Sequence, residues 1–334
     1  MKKLAKMERP DVFHVHHEMM VSMAGIRIAK RMGIPIVQTM HGREDAAVQT
    51  TVPQPFAYWF SCFAVWWHSA TIRHDVLVTR DDALAKTRTA RHMWGLMVNH
   101  ANYADAVVVP SKHFADKLKH YGMHKPTFIV SNGVEDASVD RKWEVRKWDG
   151  KKPLQVLWSS RMSRAKRPVE FLKAIAKTDF PIHVSMFGDG EMEALSKSIV
   201  RIKGIEDKVT FYGPVKPERI KREMSKHHIL ILASYNFDNQ PMTMLEALAT
   251  GMPVIYCDPD MSEIVPAAGA LLTSSPEVDG MAAGFEKLAA DPGMIEKMSA
   301  VMLKHRKDAL QSTQIAKLVK VYEEVIKGKK KAQK

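Results

Sequence analysis

The sequence predicts an α/β protein made of two doubly wound parallel sheets. Short apolar segments alternate with helix-like segments along the 334 residues, and the alternation is most regular in the second half. A chain of this length is sufficient for two such domains. Alternating strands and helices give parallel pairing. Because ligands bind outside the carboxyl ends of parallel strands, the loops at those ends are the first places to look for function.

Apolar segments in the first half predict strands at 12–16, 34–39, 106–110 and 128–131, with a helix near 22–32. A long irregular and helical region separates the second and third strands. The charged stretch 135–152 shows no apolar period and predicts an interdomain linker. We therefore expect a first domain over 1–140 and a second over 141–334.

The second half predicts strands at 155–159, 183–187, 209–212, 229–232 and 254–257. Further helices are expected to begin at Pro276, Pro292 and Gln311. The elements between these strands have the length of crossover helices, so the pattern favours a second parallel sheet.

The segment 234–254 carries the most chemical information. A polar loop with Asp238 follows the apolar strand, and a helix follows the loop until Gly251 and Pro253 end it. The first N–H groups of that helix suit an anion such as a diphosphate. Asp238 lies just outside the helix and Glu246 about one turn inside, where the two carboxylates can hold sugar hydroxyls. A strand, turn and helix with two solvated acids is the alternative.

A basic loop follows the strand at 155–159. It places four cations in seven residues, namely Arg161, Arg164, Lys166 and Arg167. At the carboxyl end of a strand these charges would neutralise a diphosphate leaving group without a metal. Gly188-Asp189-Gly190 follows the next strand, where glycines let a ligand approach the backbone. Neither motif alone is strong evidence for a binding site, because a lone Gly-Asp-Gly is common and most basic loops are simply solvated.

In this order the pieces resemble the retaining glycosyltransferases of the GT-B fold, specifically the large family-four group. That family shows G-R-x4-K-G, then G-x-G, then E-x7-E. The counterparts are Ser160-Arg161 with Lys166, Gly188-Asp189-Gly190, and Asp238 with Glu246. The departures are Asp238 for the first Glu, Ser160 for a Gly and Arg167 for the Gly after the lysine. Segments 11–18, 38–42, 109–111 and 131–134 resemble landmarks of the family's first domain.

The resemblance implies two domains facing a cleft and a role for each matched residue. Arg161 and Lys166 would stabilise the leaving diphosphate, Asp238 would hold the sugar and Glu246 the ribose, and His41 would orient the donor sugar. Other expected donor contacts are Gly188, Gly190, Asn239, Gln240, Met242 and Thr243. The resemblance implies a UDP-sugar or GDP-sugar donor and neither a cofactor nor a metal.

His16 and His17 are expected on the acceptor side, where the sequence 14–17 holds three histidines. His14 and His16 share one face of their strand and His17 points to the other. A structural role is the alternative for two of the three, and a metal site would lack a second ligand group.

Relatives of this kind begin with a strand, a Gly-rich loop and a helix, whereas ten residues precede Asp11 here. We therefore expect a first domain that lacks its initial elements. A truncated or non-catalytic relative that binds nucleotide sugar without turnover is the alternative function. A sugar-nucleotide epimerase on the same fold is a weaker alternative, because the helix that begins after Asp238 matches transferases better.

The net charge of +13 and five lysines in 327–334 favour anionic partners. The sequence lacks the interleaved aromatic and basic residues that are typical of nucleic-acid binding. The aromatic run Phe56, Trp59, Phe60, Trp66 and Trp67 predicts either core or an interfacial membrane patch. Two distant cysteines give no disulfide framework, and a reducing cytoplasm fits. We expect a cytoplasmic protein, peripheral on the inner face of the plasma membrane, with a lipid or glycan acceptor.

Overall fold

The computed structural model describes residues 9–16 and 21–332, and its strands alternate with helices. The strands are β1 (Phe13–Val15), β2 (Ile36–Thr39), β3 (Ala106–Val109), β4 (Thr127–Ile129), β5 (Leu154–Ser159), β6 (Ile182–Phe187), β7 (Val209–Gly213), β8 (Ile229–Leu232), β9 (Val254–Tyr256) and β10 (Ala270–Leu272). The α-helices are α1 (Val21–Arg31), α2 (Glu44–Thr51), α3 (Phe56–Ser69), α4 (Arg88–Tyr103), α5 (Lys112–His120), α6 (Asp136–Asp140), α7 (Pro168–Ile175), α8 (Glu193–Ile202), α9 (Pro217–Met224), α10 (Met242–Thr250), α11 (Val278–Ala290), α12 (Gly293–His305) and α13 (Gln311–Ala332).

The strands form two parallel sheets, which confirms the predicted fold class. One has four strands in the order β1-β2-β3-β4. The other has six in the order β10-β9-β8-β5-β6-β7. The chain adds strands in one direction from β5 to β7 and in the other from β8 to β10. The order therefore reverses between β5 and β8, which is the switch point where ligands bind in sheets of this kind.

The chain divides into two compact units. The first runs to Ser131 and includes the residues from Ile315 onward, and the second is Asn132–Gln314. This division differs from the expected domains 1–140 and 141–334 mainly at the C-terminal end. Val321 on α13 packs with Val37 of β2 and Val108 of β3. Apolar burial against the first sheet therefore assigns most of α13 to the first unit.

Helices cover both faces of the first sheet. Val37 and Val108 point toward α13, whereas Val107 and Val109 point into a cluster with Trp94 of α4 and Phe114 of α5. Alternate residues of a strand point to opposite faces, so a sheet covered on both sides needs strands that are apolar throughout. The fully buried Ala-Val-Val-Val of β3 is such a strand.

The second sheet is buried in the same way. All four residues of β8, Ile229 to Leu232, are buried. Ile229 and Ile231 join a cluster that includes Phe171 of α7 and Phe285 of α11. Leu230 and Leu232 join a cluster that includes Leu245 of α10. This packing fixes α7 and α10, the two helices that follow the predicted site loops.

The stretch predicted as a charged linker is instead packed into the second unit. Val139 and Trp148 are buried, as is Arg146. The Arg146 guanidinium donates to the carbonyl oxygens of Met224, His227 and Thr250 at 2.8, 3.1 and 2.7 Å. Burial lowers the pKa of Arg146 to about 10. The linker prediction was wrong because its arginine satisfies carbonyls at the ends of α9 and α10 rather than facing solvent.

The aromatic run forms α3 and is mostly exposed. Exposure is 67% for both Phe56 and Trp59, 65% for Trp66 and 47% for Trp67. Small residues of the same helix, Ala57 among them, are buried instead. The core interpretation of these aromatics was therefore wrong. In the described ranges, no helix combines the length and apolar character needed to span a bilayer.

Candidate functional site

Three loops of the second unit meet at the switch point of its sheet. They follow β5, β6 and β8, which are neighbours in the order β8-β5-β6. Parallel neighbours end at the same edge of a sheet, so the basic loop, the glycine loop and the loop with Asp238 are adjacent. The sequence placed all three motifs at strand ends, and the strand order brings them together.

Lys166 and Asp238 form an ion pair that joins two of these loops. The Lys166 Nζ lies 2.6 Å from Asp238 Oδ1, and their side chains are only 17% and 11% exposed. The other carboxylate oxygen, Asp238 Oδ2, accepts a hydrogen bond from Ser234 Oγ at 2.5 Å. The Lys166 ammonium also lies 5.2 Å from the centre of the Phe237 ring. Both oxygens of Asp238 are thus held by this chain.

The glycines after β6 allow the second loop to touch the first. Gly188 and Gly190 adopt φ of 121° and 148°. A Cβ on Gly188 would lie 2.1 Å from the carbonyl oxygen of Ser160, and one on Gly190 would lie 2.6 Å from that of Met162. Met162 N donates to the carbonyl of Asp189 at 2.6 Å. Close backbone packing explains both glycines, and their contact with a donor stays a prediction.

The basic loop contains one residue in an unusual conformation. Arg167 has φ 56° and ψ 45°, in the left-handed region where glycine is favoured. This geometry accounts for the Gly that family members carry here. The Arg167 guanidinium lies 3.7 Å from Glu277 Oε2, and Arg161 earlier in the loop is exposed.

Helix α10 carries Glu246 in its second turn. It begins at Met242 after Pro241 and ends at Gly251, whose φ is 69°. Glu246 is half-buried. Burial raises the pKa of its carboxyl group, and the positive charge of Lys221 partly offsets this. Met244 N donates to the carbonyl of Pro241 just before the helix at 3.0 Å, and the amide hydrogens that precede it have no carbonyl partner within the helix, as at any helix N-terminus.

The remaining predicted donor contacts flank the start of α10. Asn239 is 5% exposed, and Gln240 Oε1 accepts a hydrogen bond from the backbone N of Asn132 at 2.7 Å. Met242 is 43% exposed and Thr243 is half-buried. The hydrogen bond to Asn132 holds the start of the second unit against the loop.

The predicted histidines of the first unit make two different sets of contacts. His16 Nδ1 lies 3.1 Å from His41 Nε2, and their rings stack with centroids 5.4 Å apart. His14 instead hydrogen-bonds Tyr322 OH and Thr39 Oγ1, both at 2.6 Å. Burial, with His16 and His41 nearby, lowers the pKa of His14 to about 4. His14 is therefore a structural histidine, and His17 lies outside the described residues.

A second group of histidines is buried in the first unit and was not anticipated. His68 Nδ1 lies 2.6 Å from His74 Nε2, and His68 Nε2 lies 2.9 Å from His100 Nδ1. His100 Nε2 lies 3.0 Å from Gln38 Oε1. Burial and the neighbouring histidines lower the pKa of His68 to about 2. Across the described part of the chain, no group of three or more His, Cys, Asp or Glu is arranged to hold a metal ion.

Sequence reasoning missed three residues that touch the site, Ser234, Phe237 and Asn132. Ser234 begins the loop two residues after β8, so its position at a strand end was a usable signal. Asn132 was noted only as part of the segment 131–134, because its contact with Gln240 is distant in sequence.

Two family models match the chain, one in each half. The model described as glycosyl transferases group 1 matches residues 140–305, and the model described as glycosyltransferase family 4 matches residues 1–138.

Individual relatives are distant. An α-monoglucosyldiacylglycerol synthase of Streptococcus pneumoniae is 26% identical over 88% of this chain and 62% of its own length. A D-inositol 3-phosphate glycosyltransferase of Streptomyces griseus is 23% identical over 88% of this chain and 63% of its own. The chain thus spans about three fifths of these two relatives. The crystal structure of Anabaena HepE in complex with UDP has a TM-score of 0.68 at 14% identity, covering 93% of this chain and 78% of that one. With both halves matched by family models and this fold, the chain belongs to the glycosyltransferases of the GT-B type.

Proposed function

We propose that the protein transfers a sugar from a UDP-sugar or GDP-sugar to a lipid or glycan acceptor, with retention of anomeric configuration and without a metal. The observation that carries this proposal is the ion pair between Lys166 and Asp238 at the switch point of the second sheet. It joins a basic loop suited to a diphosphate with a carboxylate suited to sugar hydroxyls. The UDP complex of HepE, on the same fold, supports a nucleotide donor.

The chemistry follows from where negative charge develops. Departure of the nucleoside diphosphate leaves charge on its oxygens, and preorganised cations stabilise that charge most effectively. Lys166 and the exposed Arg161 supply the cations, and the N-terminal turn of α10 supplies aligned N–H groups. Glu246 would accept hydrogen bonds from the ribose hydroxyls.

Retention is proposed by front-face attack. Asp238 accepts from both Lys166 and Ser234, and a carboxylate engaged at both oxygens is a weak nucleophile. The departing phosphate oxygen would then accept the proton of the acceptor hydroxyl. His41, held against His16, would orient the donor sugar.

A lipid acceptor is supported by the name of the S. pneumoniae relative, a glucosyldiacylglycerol synthase. The net charge of +13 supports the same class, because it favours an anionic membrane surface.

Donor binding is tested by calorimetric titration of UDP and GDP in the presence of EDTA. We expect binding without Mg²⁺, and Arg161→Ala should weaken it by about 1.5–3 kcal/mol, the range for a lost charge-assisted contact. Arg201→Ala is the matched control, since Arg201 is exposed in the last turn of α8, at the opposite end of that helix from the glycine loop. Binding that requires Mg²⁺, or equal losses in both variants, would refute the proposed donor site.

Turnover is tested with UDP-glucose and diacylglycerol in vesicles, with the anomeric coupling of the product read by NMR. An α-linked product from an α-linked donor is expected. Nucleotide binding with no transfer to lipid or glycan acceptors would favour the non-catalytic alternative.

A further inference from the structure

The outer face of α3 is the largest exposed group of aromatic side chains in the described structure. It consists of Phe56, Trp59, Phe60, Phe63, Trp66 and Trp67, each between 39% and 67% exposed. Their spacing places all six on one side of the helix. The opposite side, with Ala57, Ser61, Ala64 and His68, is buried against the first unit. The orientation of α3 is thus fixed with its aromatic face outward.

Such a face is costly in water. A monomeric protein rarely exposes contiguous apolar patches beyond a few hundred Å², and larger ones mark interaction sites. The whole segment 46–72 contains no Asp, Glu, Lys or Arg. Three of the six aromatics are tryptophans, whose ring is apolar but whose N–H needs a polar partner. That combination suits the boundary between lipid chains and headgroups, where tryptophan is enriched.

Exposed arginine side chains lie near the C-terminal end of this apolar face. Arg27 donates from Nη2 to the carbonyl oxygen of Ala70, just past the end of α3, at 3.3 Å. Arg73 follows three residues later. Its side chain is 85% exposed, and its Nε lies 2.6 Å from Asp75 Oδ1, an exposed carboxylate with which a lipid phosphate would compete. An apolar face bordered by exposed arginines is complementary to a bilayer that contains anionic phospholipid.

We infer that the aromatic face of α3 docks the first unit on an anionic phospholipid bilayer, with the helix lying in the plane of the interface. The six rings insert among the upper acyl chains, and Arg27 and Arg73 contact lipid phosphates. This inference rests on the proposed function, because it identifies the membrane from which a lipid acceptor would be drawn. It uses two kinds of attachment, apolar and electrostatic, which together give stable peripheral binding.

The test is co-sedimentation of the full chain with phosphatidylglycerol vesicles and with phosphatidylcholine vesicles. The variant Trp59→Ser/Trp66→Ser should bind phosphatidylglycerol vesicles about tenfold or more weakly, the loss expected when one or two exposed aromatics no longer bury their area. The matched control is Leu195→Ser/Ile202→Ser, which removes exposed apolar side chains from α8 in the second unit. The control should bind as the unaltered chain does.

A second variant, Arg27→Gln/Arg73→Gln, separates the electrostatic contribution. It should lower binding to phosphatidylglycerol vesicles, make that binding less sensitive to salt, and leave weak binding to phosphatidylcholine unchanged. Tryptophan fluorescence should shift to the blue on binding in the unaltered chain, and the shift should shrink in the α3 variant.

Vesicle binding that is equal in the α3 variant and its control would overturn the inference. Failure of the unaltered chain to bind phosphatidylglycerol vesicles at low salt would also overturn it. This holds both if the chain is a monomer and if it forms a dimer that the α3 substitutions dissociate. In the last case the occupant is a second copy of the chain. Calorimetric binding of UDP or GDP is measured on the same samples. If the unaltered chain binds nucleotide but not vesicles, this inference fails and the proposed donor site stands.

Discussion

At the scale of single residues, the proposed donor site depends on the ion pair between Lys166 and Asp238. The sequence predicted Lys166 and Asp238 in separate roles, one for the diphosphate and one for the sugar. Their 2.6 Å contact shows that each also fixes the position of the other. A bound diphosphate would compete with Asp238 for the Lys166 ammonium, which makes the two residues coupled rather than independent.

The roles of Asp238 and Glu246 can be separated by substitution. Glu246→Gln should weaken UDP or GDP binding, because it removes the charge proposed to hold the ribose. Asp238→Asn should leave that affinity nearly intact, since Lys166 loses a competing anion, while the rate of transfer falls. Calorimetry and initial rates on both variants check this, with Glu206→Gln, at an exposed position between α8 and β7, as control. Equal loss of nucleotide affinity in both would contradict the placement of the sugar beside Asp238.

Other residue-level features could be anticipated only partly. The replacement of a family Gly by Arg167 was visible in the sequence, but its left-handed φ of 56° was not. The contacts of Ser234 and Phe237 with the ion pair depend on the path of the loop after β8, which no local pattern specifies.

At the scale of elements, strands were predicted well because burial on both faces makes them continuous apolar runs. The strand Ile229–Leu232 was predicted with its observed bounds. The three-residue β10 was missed, since so short a segment carries no pattern. The aromatic residues of α3 were singled out, but neither the bounds of the helix nor its exposed face was predicted. Both its inner and outer sides lack charge, so periodicity alone cannot tell inside from outside.

The contact between the loops after β5 and β6 gives a prediction at this scale. In Gly188→Ala the new methyl group would meet the Ser160 carbonyl, so the two loops must separate, and stability should fall by about 1–3 kcal/mol beyond the cost of the backbone angle. Gly204→Ala is the control, because Gly204 has φ 62° but nothing within 4 Å of its Cβ position. It should cost about 1 kcal/mol.

Urea denaturation and nucleotide titration of both glycine variants provide the measurement. Gly188→Ala should also lower nucleotide affinity, since the basic loop moves with its neighbour. Indistinguishable behaviour of the two variants would mean that the loops do not need this close approach.

At the scale of the whole molecule, the family and the parallel architecture followed from motifs spread over most of the chain. The division into units did not, because α13 returns to the first unit through packing between Val321 and residues more than 200 positions earlier. Local sequence carries no sign of such a contact. The buried histidines were unpredictable for the same reason, since His68 and His100 meet only when α3 packs on α4.

Those histidines predict acid sensitivity. The pKa of His68 is lowered to about 2 in the folded protein, against about 6.5 when unfolded, so the unfolded chain binds the additional proton below pH 6.5. Stability from this group is therefore fully present above pH 6.5 and is lost as the pH falls toward 2. It should drop by about 1 kcal/mol between pH 6.5 and 5.5.

Urea denaturation at these two pH values measures the change. His68→Gln should flatten the dependence on pH whatever its effect on stability at neutral pH. His124→Gln, at an exposed position, should leave the dependence unchanged. An unaltered dependence in His68→Gln would show that this imidazole does not stay neutral in the folded protein.

The two crossings of the chain into and out of the second unit lie side by side. Val134 N donates to the Ala309 carbonyl at 2.7 Å and Gln311 N donates to the Val134 carbonyl at 3.0 Å. The second unit is thus arranged as an insertion whose ends are tied together, while the first is assembled from two separate stretches. A fragment spanning 132–314 keeps every strand of its sheet, whereas one ending at Ser131 loses the helix that covers Val37 and Val108. Only the second unit is therefore transferable as one continuous segment, by excision or by grafting into another host.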